Sequence, residues 1–133
     1  MRILVLAALL VAGCASNITS PGAEYGFHFL AVANDETGEY SYVYVSEVAC
    51  SGPATNKLGR RDVIVGVTIN GESFNLARNI PRKRVENMSS QLALARHEIE
   101  IWTREGGILG PERYHRISPG QAHWNPATCG LFG

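Results

Sequence analysis

The sequence predicts a mainly β protein: a single small antiparallel domain, β-sandwich or barrel-like, spanning residues 24–133. Three observations carry this. From Glu24 onward, apolar residues recur at every second position and not at helical spacing. Segments of this kind are short and repeatedly interrupted by Gly, Asn and Asp, giving about six strands. Between two of them stands Asn70-Gly71, a dipeptide whose tolerance of positive φ makes it a strong hairpin signal. No internal repeat is visible.

The elements follow in order. Residues 24–33 (EYGFHFLAVA) place Tyr25, Phe27 and Phe29 on one face. Asn34-Asp35-Glu36-Thr37-Gly38 supplies turn chemistry, and residues 39–50 (EYSYVYVSEVAC) return with Tyr40, Tyr42 and Tyr44 on one face and Val43 and Val45 on the other. Residues 51–61 (SGPATNKLGRR) read as a loop. Residues 62–69 and 72–77 flank Asn70-Gly71 as a second hairpin. The stretch 89–105 admits two patterns. Ser89 or Ser90 is a fit N-cap for a helix through Leu92, Ala95, Ile99 and Trp102, yet Glu98-Ile99-Glu100-Ile101-Trp102-Thr103 alternates as a strand. The alternation decides for a short turn or helical piece near 87–95 and a strand over about 95–103. A last strand is expected over 112–117.

Charge excludes some functions. Twelve Lys+Arg balance twelve Asp+Glu, whereas nucleic-acid binders carry a clear basic excess. The charges are segregated along the chain. Glu24, Asp35, Glu36, Glu39 and Glu47 come first; then Lys57, Arg60, Arg61, Arg78, Arg82, Lys83 and Arg84 are opposed only by Asp62 and Glu72. Arg60, Arg61, Arg78, Arg82, Lys83 and Arg84 are therefore candidates for a patch meeting an anionic envelope component or an acidic protein surface. The competing reading is a solvated loop whose charges pair with the acidic hairpin.

Ahead of the domain, Met1-Arg2 gives a positive start and residues 3–12 (ILVLAALLVA) an unbroken apolar run. A bilayer-spanning helix needs about 20 apolar residues, so this run has the length of a secretory signal core. Val11-Ala12-Gly13-Cys14 then sets a branched apolar residue and two small ones before a cysteine. Over residues 1–16 the pattern resembles the lipobox of bacterial lipoprotein precursors. The resemblance implies that residues 1–13 are a cleaved signal peptide, that Cys14 is acylated on its thiol and amine, and that the domain reaches the cell envelope. In enterobacterial lipoproteins Asp after the cysteine retains the protein at the inner membrane, so Ala15 points to the outer membrane. Two or three acyl chains make attachment stable where one does not. Residues 14–23 then form the acylated cysteine and a small, polar tether, whose nine residues after Cys14 reach about 30 Å at most.

In that oxidising compartment the remaining cysteines, Cys50 and Cys129, favour a single disulfide. Neither lies in a Cys-x-x-Cys motif or at an evident helix start that would activate a thiol.

Catalytic signatures are missing: the chain has no G-x-S-x-G, H-E-x-x-H, Walker or G-x-G-x-x-G motif. His28, His97, His115 and His123 lack short metal-ligand spacing; a zinc site requires His97, His115 and His123 to converge with Glu98 or Glu112. Glu98 and Glu100 read as strand acids, since paired glycosidase carboxylates usually come from different elements. Thus no catalytic residue, metal or cofactor is predicted. Tyr40, Tyr42 and Tyr44, together with Tyr25, offer either an aromatic contact face or cross-strand support. The segment 121–126 (QAHWNP) is a lid over one end of the core or a contact surface, and nearby Cys129 favours the lid.

The functional expectation is a non-enzymatic, outer-membrane-anchored accessory module for an envelope protein or anionic envelope polymer. The alternatives are a small inhibitor or immunity lipoprotein, and a histidine-based hydrolase.

Overall fold

The computed structural model describes residues 21–129; Cys14 and the expected signal peptide lie outside them. Six strands form one antiparallel sheet: β1 (Phe27–Ala33), β2 (Tyr40–Val48), β3 (Val63–Ile69), β4 (Glu72–Asn75), β5 (Ile99–Arg104) and β6 (Glu112–Ile117). Their order is β1-β2-β3-β5-β6, with β4 paired to β3 beside that path. One edge of β3 is shared by β2, at residues 63–64, and β4, at residues 66–69, while β5 takes the other edge. The mainly β expectation is met in its barrel-like form, by one bent sheet with a helix on its inner face.

The bends have a local cause. β2 carries an extra residue against β1 at Ser46 and again at Ser41, and β3 carries one against β5 at Val65. Each β-bulge increases twist and reverses the alternation of faces beyond it. Val43 and Val45 therefore point to the core, and past the bulges so do Val48 and Tyr40. This corrects the expected tyrosine row: Tyr40 packs against the core, and only Tyr42 and Tyr44 share the outer face.

The second hairpin is the one expected. Asn70 (φ 52°) and Gly71 (φ 83°) both take positive φ, as a two-residue turn matching strand twist requires. β6 also falls where alternation placed it, whereas β5 begins four residues later than expected.

The helix departs most. α1 spans Arg82–Leu94 and buries Val85, Met88 and Leu92, spaced i, i+3, i+7, on the sheet's inner face. Pro81 is extended, and its carbonyl accepts the amides of Arg84 (3.0 Å) and Val85 (3.4 Å). Residues 82–84 are thus the first helical turn and not a loop. Three cations at a helix N-terminus oppose its dipole, which disguised the start. Two are offset by contacts elsewhere: Arg82 Nε donates to the Gly38 carbonyl at 2.6 Å, and an Arg84 guanidinium nitrogen donates to the Asn75 carbonyl at 3.0 Å.

The core is one cluster, in which Tyr25, Phe27, Ile64, Ile101 and Ile117 from the sheet and its leading turn meet the helix residues. After β6 the chain returns along the sheet's beginning. The Gly120 amide donates to the Glu24 carbonyl, Ser51 and His123 exchange two backbone hydrogen bonds, and Trp124 stacks on His28 at 4.4 Å. A final turn, α2 (Pro126–Cys129), brings Cys129 to Cys50, and the two form a disulfide with Cα atoms 5.9 Å apart. The C-terminal segment is a strap tied to Glu24 at one end and to Cys50 at the other; none of residues 121–126 belongs to the core cluster. Among the described residues no helix is long and apolar enough to cross a membrane.

Candidate binding site

β1 is an edge strand: it pairs with β2 and, among the described strands, with no other. An edge strand presents a row of main-chain donors and acceptors that another extended segment can pair with. Here the edge is flanked by α1, whose two ends are tied to the turns before and after β1. At the helix start, Arg82 bonds the Gly38 carbonyl, reaches the Tyr40 hydroxyl at 3.2 Å and lies 4.8 Å over the Tyr40 ring. Just past the helix end, Arg96 pairs with Glu24 at 3.2 Å and the Tyr25 hydroxyl donates to the His97 carbonyl at 2.6 Å. The helix therefore runs antiparallel to β1. Between the ties Phe29 and Ala31 pack, partly buried, against the core cluster that includes Val85 and Met88.

The turn leading into β1 is satisfied from within. Gly22 (φ 88°) and Gly26 (φ 85°) bracket a 3-10 turn over Ala23–Tyr25. The amides of Tyr25 and Phe27 both donate to the Gly22 carbonyl, and that of Gly26 donates to Ala23. Burial, aided by the Glu24 charge, holds the Tyr25 phenol above its ordinary pKa. Chemically, this site offers a strand edge beside the partly buried apolar side chains of Phe29 and Ala31.

The outer face of the sheet is a second surface. Cross-strand register aligns Leu30, Tyr44, Val63, Arg104 and Glu112 in one row, and Gly66, Trp102 and Tyr114 in the next. Tyr42 and Tyr44, their rings 6.1 Å apart, line a cleft of 680 Å³ with Val32, Arg61 and Val63. Trp102, 5.0 Å from Tyr114 ring to ring, lines a second cleft of 860 Å³. The β5–β6 loop carries Ile108 and Leu109 between the two. The Tyr114 hydroxyl donates to the Glu100 carboxylate at 2.7 Å, and that bond holds its phenol above the ordinary value. Sequence reasoning singled out Tyr42 and Tyr44 but passed over Trp102, Tyr114 and the Gly-flanked pair Ile108-Leu109, whose signal was an apolar dipeptide inside a turn.

The six candidate cations stand in different settings. Arg60 and Arg61 stand beside Asp62, with Arg61 on the tyrosine cleft; Arg78 lines the tryptophan cleft; Arg82 and Arg84 are engaged at the helix start, and Lys83 is exposed. Among the described residues no ion pair joins these cations to the acidic hairpin; Arg82 reaches a carbonyl there. The histidines are dispersed: His28 stacks on Trp124, His123 bridges Ser51, and His97 offers its carbonyl to Tyr25. Among the described residues no three His, Cys, Asp or Glu side chains are grouped to hold a metal. Glu98 pairs with Arg116 at 2.7 Å and Glu100 with Tyr114, so neither stands as half of a carboxylate pair.

No protein-family model and no curated protein matches the chain. Among solved structures, its fold is similar to the PDZ domain of a carboxy-terminal protease from Vibrio cholerae, determined in complex with a peptide. Identity is 16% over 71% of this chain and 92% of that one, with a TM-score of 0.50. At that identity the likeness speaks for the fold.

Proposed function

We propose that the chain is a non-enzymatic binding module, tethered to the outer membrane through acylated Cys14, that takes an extended segment of an envelope protein onto the edge of β1. The observation that carries this reading is the single-sided pairing of β1 beside a helix tied to both of its flanking turns. Strand addition gives affinity through main-chain hydrogen bonds and specificity through alternate side-chain pockets. The likeness to a peptide-bound PDZ domain supports it. The amides of Tyr25, Gly26 and Phe27 already have carbonyl partners, so recognition rests on the strand and not on a terminal carboxylate captured by the turn.

The test is selection of peptides from a random extended-peptide library on the domain lacking residues 1–14. Bound peptides should shift the β1 and α1 resonances and bind equally as free acids and amides. N-methylation of successive peptide amides should abolish binding with a period of two, because only alternate amides face the edge strand. Binding without that period, or shifts confined to other surfaces, would reject the reading. The tether is tested separately: Cys14→Ser should release the protein from membranes, and retention refutes acylation.

A further inference from the structure

We infer that the outer face of the sheet is a two-fold interface between two copies of this chain. Large apolar side chains are not exposed at random here. Of the five such residues exposed among those described, four lie on this face: Leu30 (54%), Tyr114 (48%), Ile108 (56%) and Leu109 (98%). Solvent-facing apolar groups gathered on one face mark an interaction surface, and Tyr, Trp and Arg are the residues that anchor protein interfaces.

The shape selects the occupant. Leu109 projects as a knob, and its loop is held rather than loose. The Gly106 amide donates to Asp62, the Gly110 amide to the Gly107 carbonyl, and Arg104 to the Gly110 carbonyl. The knob's own loop, through Gly107, Ile108 and Leu109, forms one wall of a cleft whose other side is Val32, Tyr42, Tyr44 and Val63. A two-fold contact requires one patch to carry both a shape and its complement, because residue i meets j while j meets i. This patch does so, with Leu109 of each copy seated in the tyrosine cleft of the other.

Charge repeats the pattern. Arg61 borders the cleft, whereas Glu112 stands at the base of the knob-bearing hairpin. In the two-fold arrangement each copy's Glu112 approaches its partner's Arg61, twice over. A lipid surface would meet both signs on the same face and gain nothing from the acid. The interface uses the outer face of β1, through Leu30 and Val32, and not its main-chain edge, so the inference does not rest on the peptide-binding reading.

The experiment is sedimentation equilibrium on the domain lacking residues 1–14, with vesicles of anionic and zwitterionic lipid as a control. The wild-type chain should dimerise, and Leu109→Asp should raise the dimer Kd by about tenfold or more. Leu109 is almost wholly exposed in the single chain, so this variant should melt with the wild type at concentrations where both are monomeric. Arg61→Glu and Glu112→Arg should each weaken the dimer, and the two together should restore it, as a reciprocal pair demands. A wild-type chain that stays monomeric to about 1 mM, a dimer indifferent to Leu109→Asp, a double charge reversal without recovery, or a monomer that binds vesicles through Leu109 would each overturn the inference.

Discussion

The carboxylate of Asp62 accepts the amide of Gly106 at 2.9 Å, joining two loops 44 residues apart. Its second oxygen accepts the Gly59 amide at 2.8 Å, and the side chain is buried. One acid thus fixes both the turn into β3 and the loop that carries Leu109. Asp62→Ala leaves two amides without this acceptor and should cost about 1–3 kcal/mol in urea unfolding. Asp62→Asn keeps one carbonyl acceptor and should cost less. The Gly106 amide should exchange faster in both variants. A loss no larger than an ordinary surface change, about 0.5 kcal/mol, would show that the loops hold themselves.

Thr103 presents the opposite case. It lies on the core face of β5, fully buried, and its hydroxyl has no partner among the described residues. Burying an unpaired hydroxyl is costly, and the isosteric valine removes that cost. Thr103→Val should raise stability by about 1 kcal/mol, read as a shift in urea midpoint at constant m-value. An unchanged or lower midpoint would mean that the hydroxyl is satisfied in solution.

Where the sequence was informative, the controlling physics was local. Asn70-Gly71 specifies its own turn by its tolerance of positive φ, and the period-two pattern of Glu112–Ile117 needs no knowledge of its neighbour. Cys50 and Cys129 paired as the only two cysteines of residues 24–133. The misread features are set between elements. Tyr40 leaves the Tyr42 and Tyr44 face because of Ser41, and a bulge is a property of the register between two strands. Arg82–Arg84 looked like a solvated run because the Gly38 and Asn75 carbonyls that receive two of these side chains lie far off in sequence. The β1 edge was invisible for the same reason: which of the described strands stands at the edge is decided by the order of the whole sheet.

Two glycines separate backbone strain from collision. At Gly71 an added Cβ meets nothing within 4 Å, so Gly71→Ala pays only for its φ of 83°, about 1 kcal/mol. At Gly22, with φ 88°, the Cβ would lie 2.7 Å from the Phe27 carbonyl oxygen. That oxygen is backbone at the head of β1 and cannot step aside alone. Gly22→Ala should therefore be the more destabilising of the two, and also displace the β1 amide resonances. Equal melting temperatures for the pair would contradict this.

The disulfide closes a long loop, with 79 positions separating Cys50 from Cys129. In the chain-entropy account such a crosslink restricts the unfolded chain by about 4 kcal/mol. Replacing both cysteines by alanine should lower stability by that order and free the strap, exposing Trp124 to quenching. If Trp124 fluorescence stayed protected, its stack on His28 would be sufficient to hold the segment.

His115 gives the domain a pH dependence of definite sign. It sits half-buried on β6 opposite Ile101. Burial holds its pKa below the ordinary 6.5; Lys57 and Arg113 push the same way, against Asp62 and Glu105. The unfolded chain protonates this imidazole near 6.5 while the folded chain still resists, so the unfolded state binds more protons just below that pH. Stability therefore falls as pH drops from about 6.5 toward the folded value, and levels off beneath it. His115→Gln removes that component. Urea midpoints measured from neutral pH downward should decline more steeply for the wild type than for the variant through this window. Parallel curves would show that the imidazole titrates alike in both states, and that burial on β6 costs its charged form nothing.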